Sequence, residues 1–228
     1  MATIRVERFV ASFPVVRQNI SVENWSWQAV GACERAAALL LAALAAPVIL
    51  AAAAAIWSLS GRAPFIAHRR VGWRGSNLWM LKLRTMWRSD RRGRGARGWI
   101  EFIEDDAGPA QKQSEDARVA HAVARFCRRH SIDELPQLWH VIRGEMLLVG
   151  PRPITSAELR DHYGAAADEV LQVKPGIAGL WQTSGRSRLS YAERLSLDLQ
   201  FVRNRSLAMY VGILARAARD VWSGANAW

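Results

Sequence analysis

The run from Ala36 to Leu59 is apolar apart from Ser58 and carries Pro47 near its middle. Nothing else in the chain limits its architecture as much. As a straight helix the run would reach roughly 36 Å, enough for the roughly 30 Å hydrocarbon core of a bilayer, so length alone favours a single span. It starts too far from Met1 for a typical signal peptide. Two features oppose a span. Pro47 removes a backbone donor and kinks a helix, leaving arms of roughly 16 and 18 Å, each about half the bilayer. Basic residues also flank both ends, Arg35 before and Arg62, Arg69 and Arg70 after, so no crossing direction is set. A helix that enters, breaks at Pro47 and returns to the same face satisfies both. Residues 1–35 ahead of it read as a variable leader, and the first 28 show no motif.

The net charge of +11 demands a polyanionic partner: nucleic acid, anionic lipid or a phosphorylated substrate. The charge is concentrated between Arg62 and Arg97, where Asp90 is the only acidic residue. Residues 88–115 shift from Arg/Gly to acid around Gly108-Pro109, which reads as a mobile surface loop whose basic part lies towards anionic headgroups. That run is short and lacks interleaved aromatics, so nucleic acid is not expected. The 11 Trp residues suit a membrane–water boundary, although some, Trp139 included, are expected in the core. Cys33 and Cys127 make neither a disulfide framework nor a zinc set. His121 and His130 have no spacing that demands a metal.

The most informative string is Ser131 to Pro153. Asp133 and Glu134 open a short helix in which Leu135, Leu138, Trp139 and Ile142 fall on one face, and Gly144 stands where a left-handed cap belongs. Met146 to Val149 reads as a short buried strand, stopped by Gly150-Pro151-Arg152-Pro153. Arg152 has a proline on each side, so its guanidinium loses little entropy on gripping an oxyanion. Two carboxylates and a pre-positioned arginine point to a site for a metal ion and a phosphate. Ser131-x-x-Glu134 is equally a capping-box pattern, in which the acidic pair serves only the helix.

The string closely resembles the signature of the bacterial sugar transferases, the monotopic phosphoglycosyl transferases that act on a polyprenyl phosphate carrier. Asp133-Glu134, Leu135 to Leu138, Arg143 to Met146 and Val149 to Pro153 carry the match, with His140 where the family usually has Asn. A second block runs from Arg62 through Gly72 and Gly75, a turn between two short strands, to Lys82-Leu-Arg84-Thr-Met86. Lys82 and Arg84 alternate on a strand and would point to one face, for a phosphate or merely as a basic edge. Asp116 to Ser131, with Arg128 near the substrate diphosphate, leads into the dyad. A third block, Lys174 to Arg186, is punctuated by Gly176, Gly179 and Gly185, and Tyr191 to Asn204 keeps the family's Asp198. Leu207 to Trp222 is amphipathic, for core packing or interfacial docking.

The resemblance implies an α+β, mostly helical monotopic membrane protein. It would have a re-entrant hairpin at 36–60, short β-strands and amphipathic interfacial helices, with a catalytic domain at 61–228 on the cytoplasmic face of the bacterial inner membrane. It implies transfer of a sugar 1-phosphate from a UDP-sugar to polyprenyl phosphate with release of UMP, early in exopolysaccharide or glycoconjugate synthesis. Asp133 would be the nucleophile and Glu134 would help hold Mg²⁺ or move a proton. Lys82, Arg84, Arg128, Arg152, Arg186 and Asp198 would bind substrate. Anionic lipids are expected partners, and a homo-oligomer is left open. The rival reading is a non-catalytic basic anchor or scaffold at the membrane surface, which needs the charge, Trp and hairpin but not the dyad.

Overall fold

The computed structural model describes residues 25–87, 98–104, 119, 121–185 and 188–224. The chain is mostly helical with a few short strands, an α+β arrangement organised along one helix. That helix, α1, spans Trp25–Ser60 and runs through Pro47 as a single element. It buries a stripe at helical spacing: Glu34, Ala38, Ala52, Ala53, Ile56 and Ser60 are buried, with Ala42, Ala45, Ala46 and Ile49 half-buried between them. Leu39, Leu40, Leu41, Leu44, Val48 and Leu50 face outward. Among the described residues this is the one helix long and apolar enough to cross a membrane.

The stripe begins before the apolar run. Trp27 and Val30 pack on a cluster around Val149, Phe201 and Tyr210; Ala38 and Ala42 pack with Leu78, Leu138 and Met146; Ile49 to Ile56 pack with Leu83, Trp87 and Cys127. Residues 25–35, expected in a variable leader, are therefore part of the core helix. The arms before and after Pro47 both lie against the same globular body.

A three-stranded sheet follows, β1 (Phe65–Val71), β2 (Asn77–Leu83) and β3 (Ile100–Ile103), in the order β2-β1-β3. β1 and β2 form the expected hairpin, turning at Gly72 and Gly75. β3 pairs with β1 in parallel, Phe65 opposite Ile100. The loop expected over 88–115 thus contains a strand, because Ile100-Glu-Phe-Ile has a free β1 edge to pair with; its other residues, 88–97 and 105–115, lie outside the described ones.

Helix α2 (Ala122–Arg129) leads to a 3-10 turn (Ile132–Gln137) and the short α3 (Leu138–Ile142). Gly144 has φ +71, the expected left-handed stop, and a Cβ there would strike the Arg35 guanidinium. β4 (Leu147–Val149) then pairs in parallel with β5 (Gly176–Ala178). Between them the helical chain is broken into short pieces: α4 (Ser156–Glu158), a π-helical stretch (Leu159–Tyr163) and a 3-10 turn (Gly164–Ala166) precede α5 (Ala167–Val170). Helices α6 (Leu180–Ser184), α7 (Tyr191–Asn204) and α8 (Leu207–Ser223) complete the described chain. On α8, Met209, Tyr210 and Ile213 are buried while Leu207, Val211 and Trp222 are exposed.

Candidate active site

The acidic pair stands on the 3-10 turn between α2 and α3. Ser131 takes a left-handed conformation, φ +53, and its side chain makes no capping bond. The capping-box alternative is therefore not realised, and Glu134 is engaged elsewhere. Its Oε1 accepts a hydrogen bond from Lys82 Nζ at 2.8 Å, with only 14% and 19% of the two side chains exposed. Trp139 on α3, expected in the core, is 53% exposed; the short helix instead buries Leu138, His140 and Val141.

Register fixes what surrounds Lys82. Cross-strand partners share a face, so Ile66, His68 and Arg70 on β1 lie on the same face as Lys82, Met80 and Leu78. Leu78 packs with Leu138 and Val141, which sets this face against α3 and its preceding turn. Arg70 is buried there. Cys127 on α2 closes another side: burial, then the Asp133 charge, pushes its thiol pKa up. Arg128 stands in the last turn of α2, just ahead of the dyad.

His140 supports this arrangement from below. Leu81 N–H donates to its Nε2 at 3.1 Å, and its Nδ1 lies 2.7 Å from Glu145 Oε2. A backbone N–H can only donate, so Nε2 must accept and Nδ1 carries the proton. The imidazole thereby satisfies the free edge of β2 beside Lys82. Arg143 Nε also donates to Glu145 at 2.7 Å, and with His140 it holds the Glu145 carboxyl below its ordinary range against the effect of burial.

Arg152 belongs to a second cluster. Its guanidinium lies 5.9 Å from the Trp181 ring centre, and Arg194 lies 4.9 Å from the same ring. Behind them Asp198 is fully enclosed and accepts the Tyr163 hydroxyl at 3.0 Å. Burial drives the Asp198 pKa up to about 8, opposed by the Tyr163 bond and the Arg152 charge. The two clusters meet through β1: Val71 N–H donates to Ile154 O at 2.8 Å, pinning the segment after Arg152 to the strand that carries His68 and Arg70.

The expected binding residues thus separate. Lys82 joins the dyad. Arg84 does share the Lys82 face, but its Nε donates to Ala63 O at 2.8 Å and its guanidinium bonds Glu101 at 2.5 Å, so it fastens β3 to the sheet and is not available for a phosphate. Asp198 is buried behind Arg152 and does not face a substrate, because α7 turns it inward beside Leu197 and Phe201. Arg186 lies outside the described residues. Sequence reasoning passed over His68 and Arg70, although their alternation along Phe65–Val71 was a usable signal. It also passed over Glu34, whose long-range partners no local pattern reveals.

Among the described residues no three His, Cys, Asp or Glu side chains gather as a metal cage. Asp133 and Glu134 supply two hard oxygen donors on one turn. That set suits Mg²⁺, which is commonly bound by one or two carboxylates with substrate phosphates completing its shell.

Comparison with known proteins shows what the chain is similar to. The chain is 41% identical over 153 residues to an exopolysaccharide production protein ExoY of Sinorhizobium fredii, covering 64% of this chain and 65% of that protein. A UDP-galactose-lipid carrier transferase of Erwinia amylovora is 39% identical over 162 residues, 69% of this chain but 33% of its own length. A UDP-glucose:undecaprenyl-phosphate glucose-1-phosphate transferase of Caulobacter vibrioides is 37% identical over 200 residues, 84% of this chain and 69% of that protein. The matches therefore span from one third to about two thirds of these relatives. The family model for bacterial sugar transferases matches residues 26–224, from the start of α1 to the end of α8, and the chain belongs to that family.

Proposed function

We propose that this protein transfers a sugar 1-phosphate from a UDP-sugar to polyprenyl phosphate, releasing UMP, as an early membrane step of exopolysaccharide or glycoconjugate synthesis. The observation that carries this reading is the dyad itself: Asp133 and Glu134 are not used as a helix cap, and Lys82 fixes Glu134 beside a basic sheet face. The similarity to a UDP-galactose-lipid carrier transferase and a UDP-glucose:undecaprenyl-phosphate glucose-1-phosphate transferase supports the substrate classes.

In this mechanism a carboxylate oxygen of Asp133 attacks the sugar-bearing phosphorus, the bond to the UMP oxygen breaks, and an aspartyl-phosphosugar forms. An oxygen of polyprenyl phosphate then attacks the same phosphorus and frees the carboxylate. Lys82 orients Glu134, and Arg70 and Arg128 add positive charge around the reacting phosphates. Asp133 and Glu134 would hold Mg²⁺, a group that would supply charge neutralisation for the leaving phosphate. Arg152, stiffened by Pro151 and Pro153, is a second phosphate contact reached across β1. Helix α1 seats the protein in the inner membrane with both flanks cytoplasmic, a reading supported by its outward leucines and by the packing of both arms on one body.

The test is intact-protein mass spectrometry after mixing with UDP-sugar and Mg²⁺, without acceptor. A sugar-phosphate adduct on Asp133 is expected, and Asp133→Asn, isosteric and folded, should form none and lose turnover by several orders of magnitude. A folded Asp133→Asn protein that releases UMP at the parent rate would refute the covalent role. A scaffold would bind membranes normally and release no UMP from any of a panel of UDP-sugars.

A further inference from the structure

A sheet packed on one face ordinarily turns polar residues outward on the other. Here the pattern fails. The β1–β2–β3 face turned away from the dyad is covered where Ala67 and Leu83 are buried and Phe65 packs with Ala52 and Ile56 of α1, but beyond that it carries Trp79, Leu81, Ile100 and Phe102, placed together by the cross-strand register. Phe102 meets Trp79 edge-on at 5.2 Å and yet remains 63% exposed. Trp99, just before β3, is 65% exposed and lies 6.2 Å from Trp57 near the end of α1. The aromatic sheet face is therefore continuous with the outward side of α1, where Leu59, Leu50 and Leu44 are also exposed.

We propose that this sheet face, with Trp57, Trp99 and Phe102, lies in the headgroup layer of an anionic bilayer as a membrane contact separate from α1. The inference rests on the reading that α1 is membrane-embedded. Three features select lipid as the occupant. The patch adjoins the end of the apolar helix, the depth at which such a helix leaves the hydrocarbon. Trp is the side chain enriched at that depth, where an apolar ring meets water and headgroups. The chain's net charge of +11 suits anionic headgroups. The same charge disfavours a second copy, which would bring two strongly basic chains together.

Site-directed spin labelling of the full chain in phosphatidylcholine–phosphatidylglycerol nanodiscs tests this, with Cys33→Ser and Cys127→Ser removing the native thiols. Labels go on Phe102→Cys and, independently, Trp57→Cys; Leu44→Cys on α1 is the lipid reference and Ala192→Cys on α7 the aqueous one. The label at 102 should sit within about 10 Å of the headgroup–acyl boundary. Its collisions with oxygen relative to a water-soluble nickel complex should rise severalfold above those at 192. A label at 102 matching 192 while 44 remains in lipid overturns the inference and leaves the reading of α1 intact; an aqueous label at 44 overturns both. Spin–spin broadening at 102 that vanishes on dilution with unlabelled protein, without lipid-like collisions, would mean a second copy covers the face and would equally overturn it.

Discussion

Asp198→Asn isolates the consequence of burying a carboxyl behind Arg152. The parent side chain is enclosed, accepts one hydroxyl from Tyr163, and has its pKa pushed by burial from an ordinary 3.8 up to about 8. A raised carboxyl pKa means that the folded chain keeps a proton which the unfolded chain gives up. Its stabilising effect is full below pH about 4, declines through the window from about 4 to about 8, and is lost above it. The shift of about 4 pH units corresponds to about 6 kcal/mol across the window, or about 1.4 kcal/mol per pH unit. Asparagine keeps the shape and an oxygen for Tyr163 but has no proton to release. Thermal unfolding in detergent, followed by intrinsic fluorescence from pH 5 to pH 8, gives the comparison. The parent melting temperature should fall by about 4 °C per pH unit more steeply than that of Asp198→Asn. The difference between the two curves cancels every other titrating group. Parallel curves would refute the neutral carboxyl and leave Asp198 ionised as the counterion of Arg152.

Lys82→Met keeps the packing stem and removes the charge-assisted bond to Glu134, a loss of about 1.5–3 kcal/mol if it is felt in the transition state. UMP release by the folded variant should then fall about 10- to 100-fold in kcat/KM, with a lowered melting temperature because Glu134 loses its half-buried partner. His140→Leu strands the Leu81 N–H and should lower stability by about 1–3 kcal/mol, read in the same melts. Gly176→Ala should be the most damaging of the set, costing about 3 kcal/mol or more as lost folded yield, because its Cβ would strike the Gly150 backbone and β4 and β5 cannot separate without breaking their pairing.

The parts of the fold carried by local pattern were legible in the sequence. The β1–β2 turn, the Gly144 stop and the β4 strand each follow from a few adjacent residues and their backbone preferences. So did the dyad, whose alternative role as a cap could be settled only by the left-handed backbone at Ser131. What could not be read were the partners chosen across long separations. Arg84 looks the same whether it meets a phosphate or Glu101, and the choice depends on β3 joining the sheet from beyond Trp87. Trp139 follows the apolar spacing of a longer helix, but Pro136 and the 3-10 turn rotate the face so that Leu138 and Val141 enter the core instead. Asp198 has the sequence neighbours of a surface helix residue, and only the docking of Tyr163 encloses it.

The bonds of Glu34 bear on how such a protein is made and handled. This α1 carboxylate accepts the backbone N–H of Leu148 in β4 at 2.6 Å and the hydroxyl of Tyr210 in α8. The strand leading to Gly150 and Arg152 therefore completes its hydrogen bonding through a helix residue 114 positions earlier in the chain. Removing α1 to obtain a water-soluble catalytic fragment would strip apolar lining from three of the four core clusters and strand a buried donor beside the active site. The helix is not a detachable tether. With α1 seated in the bilayer as proposed above, the catalytic body completes its packing and its buried hydrogen bonds only where that helix is held, at the membrane.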